Sequence, residues 1–288
     1  MHGILHLQDI WCHIHSLLPL RDAARAACVS HAFRWSWRYL PNLKFSEDSL
    51  GLTRKVRRRE EISKDFTKKV NHILKNHSGT CVKTLEFSLD HYNKKNHRHL
   101  DKWLPKAITP GIQKFTLSLS RKHGTYKFPC SVFSNGKGDS IRHLQLSHCS
   151  FCPTPGAWCL SNLVILQLSD VHVTGDGLWC LLSSSSALER LSLKCCSGIV
   201  CLKIPGSLRR LGYLKVSDCY AMDAIESKAP NLSGFDFIGN HRRTKISLGG
   251  ALRVKELHMD STSFSLYTRA KLETNDESKE VHICVLEP

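Results

Sequence analysis

Long apolar segments are the first feature that this chain lacks. No uninterrupted apolar run reaches the ~18 residues of a membrane-spanning helix, so the sequence predicts no membrane span. The first 20 residues contain four histidines and an aspartate where a secretory signal peptide has its apolar core. We therefore interpret the 13 cysteines as reduced thiols of an intracellular protein, in the nucleus, the cytoplasm or both.

Catalytic motifs are missing as well. The chain has no His-Glu-x-x-His, no Gly-x-Ser-x-Gly and no phosphate-cradling Gly-x4-Gly-Lys. Cys149 and Cys152 have a spacing found in zinc sites, with Cys159 and Cys180 further along. A structural zinc ion needs four ligands, commonly in two paired sets, and no second pair is present. We expect no enzyme activity, no metal and no cofactor.

Acidic residues are scarce, with 25 Asp and Glu against 41 Lys and Arg and a net charge of +16. Such an excess is typical of proteins with acidic or nucleic-acid partners. The densest basic stretch is 54–59, which suits a solvated linker, a nuclear-import signal or a polyanion-binding segment. Nucleic acid is the least favoured partner, because no aromatic residues alternate with this basic run.

The chain does contain a repeated pattern, apolar-x-x-apolar-x-apolar. Its middle residues lie 21 to 30 residues apart, which largely matches the period of a leucine-rich repeat. The copies are Val82/Leu85/Phe87, Ile112/Phe115/Leu117, Ile141/Leu144/Leu146, Leu163/Leu166/Leu168, Leu188/Leu191/Leu193, Leu211/Leu214/Val216, Leu232/Phe235/Phe237 and Val254/Leu257/Met259. One repeat cannot bury its own apolar face, so the pattern predicts an α/β solenoid with a curved parallel sheet over residues 80–288. Solenoids of this kind mainly bind partners. Val281 and Ile283 suit a ninth, irregular strand after a charged loop at 273–280.

Residues between the apolar positions are predicted to lie on the concave face. There Arg190, Lys194, Tyr213 and Lys215 form a basic-aromatic surface on two adjacent repeats. This surface is either an ordinary solvated sheet face or a contact for a target protein. The fifth residue after each middle apolar residue is the position that closes the repeat's turn. Cysteine occupies this position in three repeats, at Cys149, Cys196 and Cys219.

Residues 7–40 are predicted to form three short helices. Helical spacing indicates the first, which carries Leu7, Ile10, Ile14, Leu17 and Leu18. The second spans 20–29 and is rich in Ala and Arg, which favour helices, and the third carries Phe33, Trp35 and Trp37. An amphipathic helix at 60–75 suits the N-terminal cap of the repeats, with Gly79 ending it. The predicted parts are a helical domain at 1–43, a basic connector and capping helix at 44–79, and the repeats at 80–288.

The N-terminal segment resembles an F-box. The residues that carry the resemblance run from Asp9 to Ser30, with Pro19-Leu20 before an Ala-rich stretch, followed by Trp35-Ser36-Trp37-Arg38. More narrowly, the chain is similar to plant F-box proteins with leucine-rich repeats, since Val82-Lys83-Thr84-Leu85 looks like the lead-in to their repeats.

This resemblance implies a substrate-recognition subunit of an SCF-type cullin-RING ubiquitin ligase. Its F-box would bind a Skp-type adaptor, and through it the cullin and RING subunits, while the repeats hold a target protein. The implied adaptor contacts are Ile10, Ile14, Leu17, Leu18, Pro19, Leu20 and Val29. The alternative is a repeat scaffold outside any ligase. It is favoured by one departure from the family, since His6-Leu7-Gln8 stands where the family usually has Leu-Pro.

Overall fold

The structure is a computed structural model, and it describes residues 10, 13–14, 17–18, 20–29, 37–52, 58–79, 82–89, 97–120, 125–153, 160–239, 244–249, 256–260, 270–275 and 280–285. The chain divides into two compact units. The first comprises Met1–Tyr126 and Gly136–Ile141, and the second comprises Lys127–Asn135 and Arg142–Pro288. No helix within the described ranges is both long and apolar enough to cross a membrane.

From Leu20 onward, the described residues of the first unit form three α-helices, a 3-10 turn and three strands that pair in one sheet. They are helix α1 (Leu20–Val29), a 3-10 turn (Trp37–Tyr39), strand β1 (Asn42–Phe45), helix α2 (Arg59–Asn76), strand β2 (Thr84–Leu89), helix α3 (His97–Ala107) and strand β3 (Lys114–Leu119). The prediction of a helix at 20–29 is confirmed with its bounds. The predicted helix before it has helical residues at Ile10, His13 and Ile14, whereas Phe33 and Trp35 lie outside the described residues.

Helix α2 is the amphipathic helix that the sequence predicts. Ile62, Phe66 and Val70 are buried at a spacing of four residues, which places them on one face. Glu60 and Glu61 in its first turn interact favourably with the positive end of the helix dipole. Just after the helix, Gly79 adopts a φ of 76°, a left-handed conformation that glycine takes without strain.

Strands β1, β2 and β3 pair in parallel, with Leu43 opposite Leu85 and Leu85 opposite Phe115. The sequence missed β1, which lies across the predicted boundary between 1–43 and 44–79. Leu43 and Phe45 are buried, so the start of the predicted connector belongs to the packed sheet instead of a linker. Four alternating residues are too short a signal to identify a strand whose partner lies about 40 residues later. The three-part division of the chain otherwise stays a prediction.

Aromatic rings fill the core of the first unit. Phe45 stacks on Phe87 with ring centroids 4.9 Å apart, and Phe87 stacks in turn on Trp103 of α3 at 6.2 Å. Trp103 also contacts Phe66 of α2, and its indole N–H donates to the Asn71 side chain at 2.7 Å. The two helices are thereby fixed to each other by an apolar contact and a hydrogen bond.

The second unit contains the six remaining repeat strands in parallel order. They are β5 (His143–Ser147), β7 (Ile165–Ser169), β8 (Arg190–Lys194), β10 (Tyr213–Ser217), β12 (Gly234–Ile238) and β14 (Glu256–Asp260). The predicted register is confirmed, because the middle apolar residues Leu144, Leu166, Leu191, Leu214, Phe235 and Leu257 lie opposite one another. Those from Leu144 to Phe235 are fully buried. An α/β repeat fold follows.

Five further strands of this unit form a second sheet. They are β9 (Cys201–Ile204), β11 (Ala224–Ser227), β13 (Lys245–Leu248), β15 (Ala270–Asn275) and β16 (Glu280–Val285). The first three are parallel, with Leu202, Ile225 and Ile246 in register and buried. Strand β16 contains the predicted ninth strand, but it pairs antiparallel with β13 and β15 and not in the repeat sheet. The predicted loop at 273–280 is wrong for its first three residues, which belong to β15, and for Glu280, which begins β16.

The remaining elements of the chain are short. They are strands β4 (Tyr126–Phe128) and β6 (Cys149–Phe151), a 3-10 turn (Cys130–Phe133) and helix α4 (Gly175–Ser184). Thr174 caps α4, since its hydroxyl accepts the Gly177 backbone N–H at 3.1 Å.

A left-handed residue follows four of the repeat strands. His148, Asp170, Cys195 and Asp218 have φ between 51° and 56°, and each N–H donates to a carbonyl in the next repeat. The next position is the predicted turn position. There Cys149 and Cys196 are buried, and the Cys196 thiol donates to the Leu168 carbonyl at 3.5 Å. The prediction that these cysteines are buried is confirmed for Cys149 and Cys196, whereas Cys219 is half-buried and Cys149 also begins strand β6.

Candidate recognition surfaces

The basic-aromatic surface occupies two adjacent strands. Arg190 and Lys194 lie on β8, while Tyr213 and Lys215 lie on β10. Arg190 is directly opposite Tyr213, and alternate residues of a strand share a face. The structure therefore brings all four predicted target-binding residues to one face of the sheet.

Tyr213 is at the centre of this surface and has contacts on two sides. The Arg190 guanidinium lies over its ring, 5.5 Å from the centroid, which is within the range of a cation–π interaction. On the other side, the Tyr213 hydroxyl donates a hydrogen bond to the Asp236 carboxylate. The Lys215 ammonium is 3.5 Å from the same Asp236 oxygen. The Tyr213 ring is therefore anchored at its hydroxyl, while the exposed Arg190 guanidinium has the weaker restraint of a cation–π contact.

Asp236 belongs to this site, although the sequence did not single it out. Asp236 has the same position in its repeat as Lys215, and the repeat spacing places the two residues opposite each other. Its carboxylate offsets one positive charge, so the surface is less basic than its four predicted residues suggest. A search for opposite charges in neighbouring repeats would have found it.

Gly234 is a second residue that the sequence did not single out. A Cβ at this position would lie 2.7 Å from Cδ2 of the Tyr213 ring, closer than atoms can pack. The absence of a side chain thus allows Tyr213 to lie across the start of β12. Glycine inside a strand is itself a signal of such a close approach.

A pocket of about 600 Å³ adjoins Tyr213 at the start of strands β8, β10 and β12. Its lining residues are Glu189, Arg190, Arg210, Gly212, Tyr213, Ser233 and Gly234. Arg190 and Arg210 are both exposed, and neither forms an ion pair within the part of the chain that the structure describes. The pocket therefore has two guanidinium groups available to a ligand.

Part of this polar face is buried. Thr116, Ser147 and Ser217 lie next to the apolar core positions of their strands, yet all three are buried. Long charged side chains such as Arg190 and Lys194 remain exposed, which concentrates the accessible chemistry at the basic-aromatic surface.

The predicted adaptor contacts fall into two groups. Ile10, Ile14, Leu17 and Val29 are exposed, with 72% of Leu17 and 88% of Val29 accessible to solvent. Leu18 is half-buried, whereas Leu20 is only 6% exposed and, like Ala23, lies on the buried side of α1, which contacts β1. Leu20 is thus a core residue in this structure and is not available at the surface. Pro19 lies outside the described residues.

The pair Cys149 and Cys152 does not resemble a metal site. Burial raises the pKa of Cys149 to about 12 and that of Cys130 to about 11, so both thiols stay protonated near neutral pH. Metal ions bind thiolates. Within the described ranges, no group of three or more His, Cys, Asp or Glu residues has the geometry to hold a metal ion.

Sequence comparison agrees with the repeat architecture. A family model described as the LRR domain of At1g61320/AtMIF1 matches residues 73–280, which is well over half of the chain. The chain belongs to this leucine-rich-repeat family. The match begins within α2 and so does not include the F-box-like segment.

Relatives from Arabidopsis thaliana extend the comparison. The chain is 28% identical over 186 residues to "F-box/FBD/LRR-repeat protein At1g13570", covering 65% of this chain and 42% of that protein. It is 27% identical over 228 residues to "Putative F-box/LRR-repeat protein At5g38386", covering 78% of this chain and 52% of the relative. A third, "Putative F-box/LRR-repeat protein At5g02930", is 23% identical over 198 residues, 68% of this chain and 38% of the relative. The resemblance to plant F-box proteins with leucine-rich repeats is confirmed, although the chain spans only about two-fifths to a half of these relatives.

Proposed function

We propose that this protein is a substrate-recognition subunit of an SCF-type cullin-RING ubiquitin ligase. The observation that carries the proposal is an exposed apolar set at the N-terminus of a chain whose relatives are named F-box/LRR-repeat proteins. Such a protein performs no chemistry itself. It raises the effective concentration of target lysines near the activated ubiquitin. This role would require a location in the nucleus or the cytoplasm.

The adaptor surface proposed here is narrower than the one implied by the sequence. Leu17 and Val29 are large apolar side chains that are mostly exposed, and Ile10 and Ile14 are exposed near Leu17 in the sequence. Apolar side chains that the fold leaves in water are those that a partner's groove can bury with a gain in free energy. Leu20 instead contributes by packing α1 against the rest of the first unit.

The target surface proposed here is the basic-aromatic surface. Tyr and Arg are among the residue types that most often dominate binding energy, and here the Arg190 guanidinium lies over the Tyr213 ring. Lys194 is exposed at the C-terminal end of the same strand as Arg190. An acidic or phosphorylated segment of a target protein would complement this surface.

Co-purification with a Skp-type adaptor tests the proposal. We expect the wild-type chain to bind the adaptor and Leu17→Ser/Val29→Ser to bind at least about tenfold more weakly, because two buried apolar contacts are lost. Val200→Ser is the matched control, since Val200 is also an exposed apolar residue but lies in the second unit. It should bind normally.

Two outcomes would contradict the proposal in different ways. If the wild-type chain does not bind the adaptor, the protein is a repeat scaffold outside the ligase. If the wild-type chain and the double variant bind equally well, the ligase role stands and the adaptor surface lies elsewhere.

A further inference from the structure

We infer that the pocket beside Tyr213 is a binding site for a phosphorylated side chain of a target protein. This pocket is the cavity of about 600 Å³ described above, and its charged lining residues are Arg190, Arg210 and Glu189. This inference rests on the proposed function in one respect only, namely that the ligand is a target protein. The chemistry of the pocket can be tested without the adaptor.

The Arg190 guanidinium is restrained by an aromatic neighbour. Its guanidinium lies over the Tyr213 ring, 5.5 Å from the centroid, and the Tyr213 hydroxyl is hydrogen-bonded to Asp236. A guanidinium that lies over an aromatic ring can still donate its N–H groups to an anion. Because less side-chain freedom is lost on binding, a guanidinium positioned in advance binds an anion more tightly than a freely moving one.

The pocket contains a second guanidinium, that of Arg210. Arg210 lines the same pocket from the turn that precedes β10. A carboxylate has two oxygens, which a single arginine fork already satisfies. A phosphate monoester offers three acceptor oxygens and a charge of about −1.5 to −2 at neutral pH. Two arginines on one pocket therefore match a phosphate better than a carboxylate.

The pocket is large and adjoins the basic-aromatic surface. At about 600 Å³ it is much larger than a phosphate group, so a phosphorylated side chain with its neighbours fits better than a free ion. Arg190 and Tyr213 belong both to the pocket and to the basic-aromatic surface. A peptide with its phosphate in the pocket would extend along β8 and β10 toward Lys194 and Lys215.

The charge of the pocket also predicts how removal of a carboxylate changes its affinity for a phosphate. Two guanidinium groups and the carboxylate of Glu189 leave it with a single net positive charge. Glu189 repels a bound phosphate and weakens binding. Removal of this carboxylate should strengthen binding, a result that a pocket for a cationic or neutral ligand would not show.

The test uses the purified full chain and a degenerate peptide array with one fixed phosphoserine, beside arrays with serine or glutamate at that position. We expect capture on the phosphoserine array only. Arg210→Gln should reduce capture at least about tenfold, the effect of losing charge-assisted hydrogen bonds. Glu189→Gln should increase it. Arg209→Gln is the matched control, because it removes the same charge from an exposed neighbour outside the pocket, and it should change capture less than about twofold.

Three results would overturn the inference. Equal capture on the phosphoserine and serine arrays would exclude phosphate recognition. Equal losses of peptide capture in the Arg209 and Arg210 variants, with unaltered melting curves, would indicate attraction by the net charge alone. Displacement of the peptides by single-stranded RNA to the same extent from both variants would indicate the same. Normal adaptor binding alongside such a failure would leave the proposed function intact, since the adaptor contacts lie in the other unit.

Discussion

At the scale of single residues, the direction of each strand side chain decides its role. Leu191 and Ser192 are neighbours in β8, yet Leu191 is fully buried while Ser192 is half-exposed. Ser192 lies opposite Gln167 on one side and Lys215 on the other, whereas Leu191 lies opposite Leu166 and Leu214. One position of displacement along the strand thus separates the core from the binding face.

A pair of aspartate substitutions tests this register. Leu191→Asp places an unpaired carboxylate in the core and should lower the free energy of unfolding by at least about 3 kcal/mol. Ser192→Asp places the same group on the opposite face beside Lys215, so a change below about 1 kcal/mol is expected. Urea unfolding of both variants is the measurement. Similar losses in the two variants would show that the register is wrong.

At the scale of elements, the end of α2 illustrates how a helix is fixed to a distant segment. The His77 ring bridges two backbone groups: its Nδ1 accepts the Gly79 N–H at 3.0 Å, and its Nε2 lies 3.0 Å from the Leu40 carbonyl. These roles require the neutral ring with its proton on Nε2. Burial lowers the pKa of His77, although the hydrogen bond to Leu40 opposes this shift. The helix end therefore favours neutral histidine.

This bridge predicts a dependence of stability on pH. The pKa of His77 is lower in the folded chain than in the unfolded chain, where it is near the usual 6.5. As pH falls through 6.5, the unfolded chain takes up a proton before the folded chain does, so stability decreases. His77→Gln keeps a donor and an acceptor but cannot be protonated. Its melting temperature should fall less than that of the wild type between pH 8 and pH 5.

The difference between the two melting curves isolates His77 from the other 16 histidines. Parallel curves over the whole pH range would show that His77 has the same pKa in the folded and unfolded chain. In that case the ring would not be held in its neutral form by the fold.

At the scale of the whole molecule, the thiols report on how well each part of the chain is packed. Cys28 and Cys152 are exposed, while Cys130 and Cys149 are buried with raised pKa values. Only the thiolate is a strong nucleophile, so a raised pKa slows the reaction of a thiol with an alkylating reagent. Burial slows the same reaction by limiting access of the reagent. The hydrogen bond between Cys196 and Cys219 instead lowers the pKa of Cys219.

Alkylation of the native chain with iodoacetamide at neutral pH should follow this order. Cys28 and Cys152 are expected to react first, and Cys130 and Cys149 only when the chain unfolds in urea. Peptide mass spectrometry over a time course gives the rate at each position. Labelling of Cys149 as fast as Cys152 in the native chain would mean that the repeat turns are not closed as described.

The sequence alone determined the features that depend on local periodicity. The spacing of Leu144, Leu166 and Leu191 predicted the parallel strands and their register, since each repeat must bury its apolar face against the next. The Ala- and Arg-rich local composition predicted the helix at 20–29. The repeat period predicted the burial of Cys149 and Cys196 at the position after each left-handed residue.

Only the tertiary structure decided the features that depend on distant partners. Strands β1 and β9 have four residues each, too few for a pattern, and they are stable because strands about 20 to 40 residues away pair with them. The burial of Leu20 depends on how α1 packs on β1. The close approach of Gly234 to Tyr213, and the presence of Arg190 and Arg210 on one pocket, depend on how turns place one repeat on the next. Repeat spacing specifies which residues face the same side, but the path of the turns decides which of them meet.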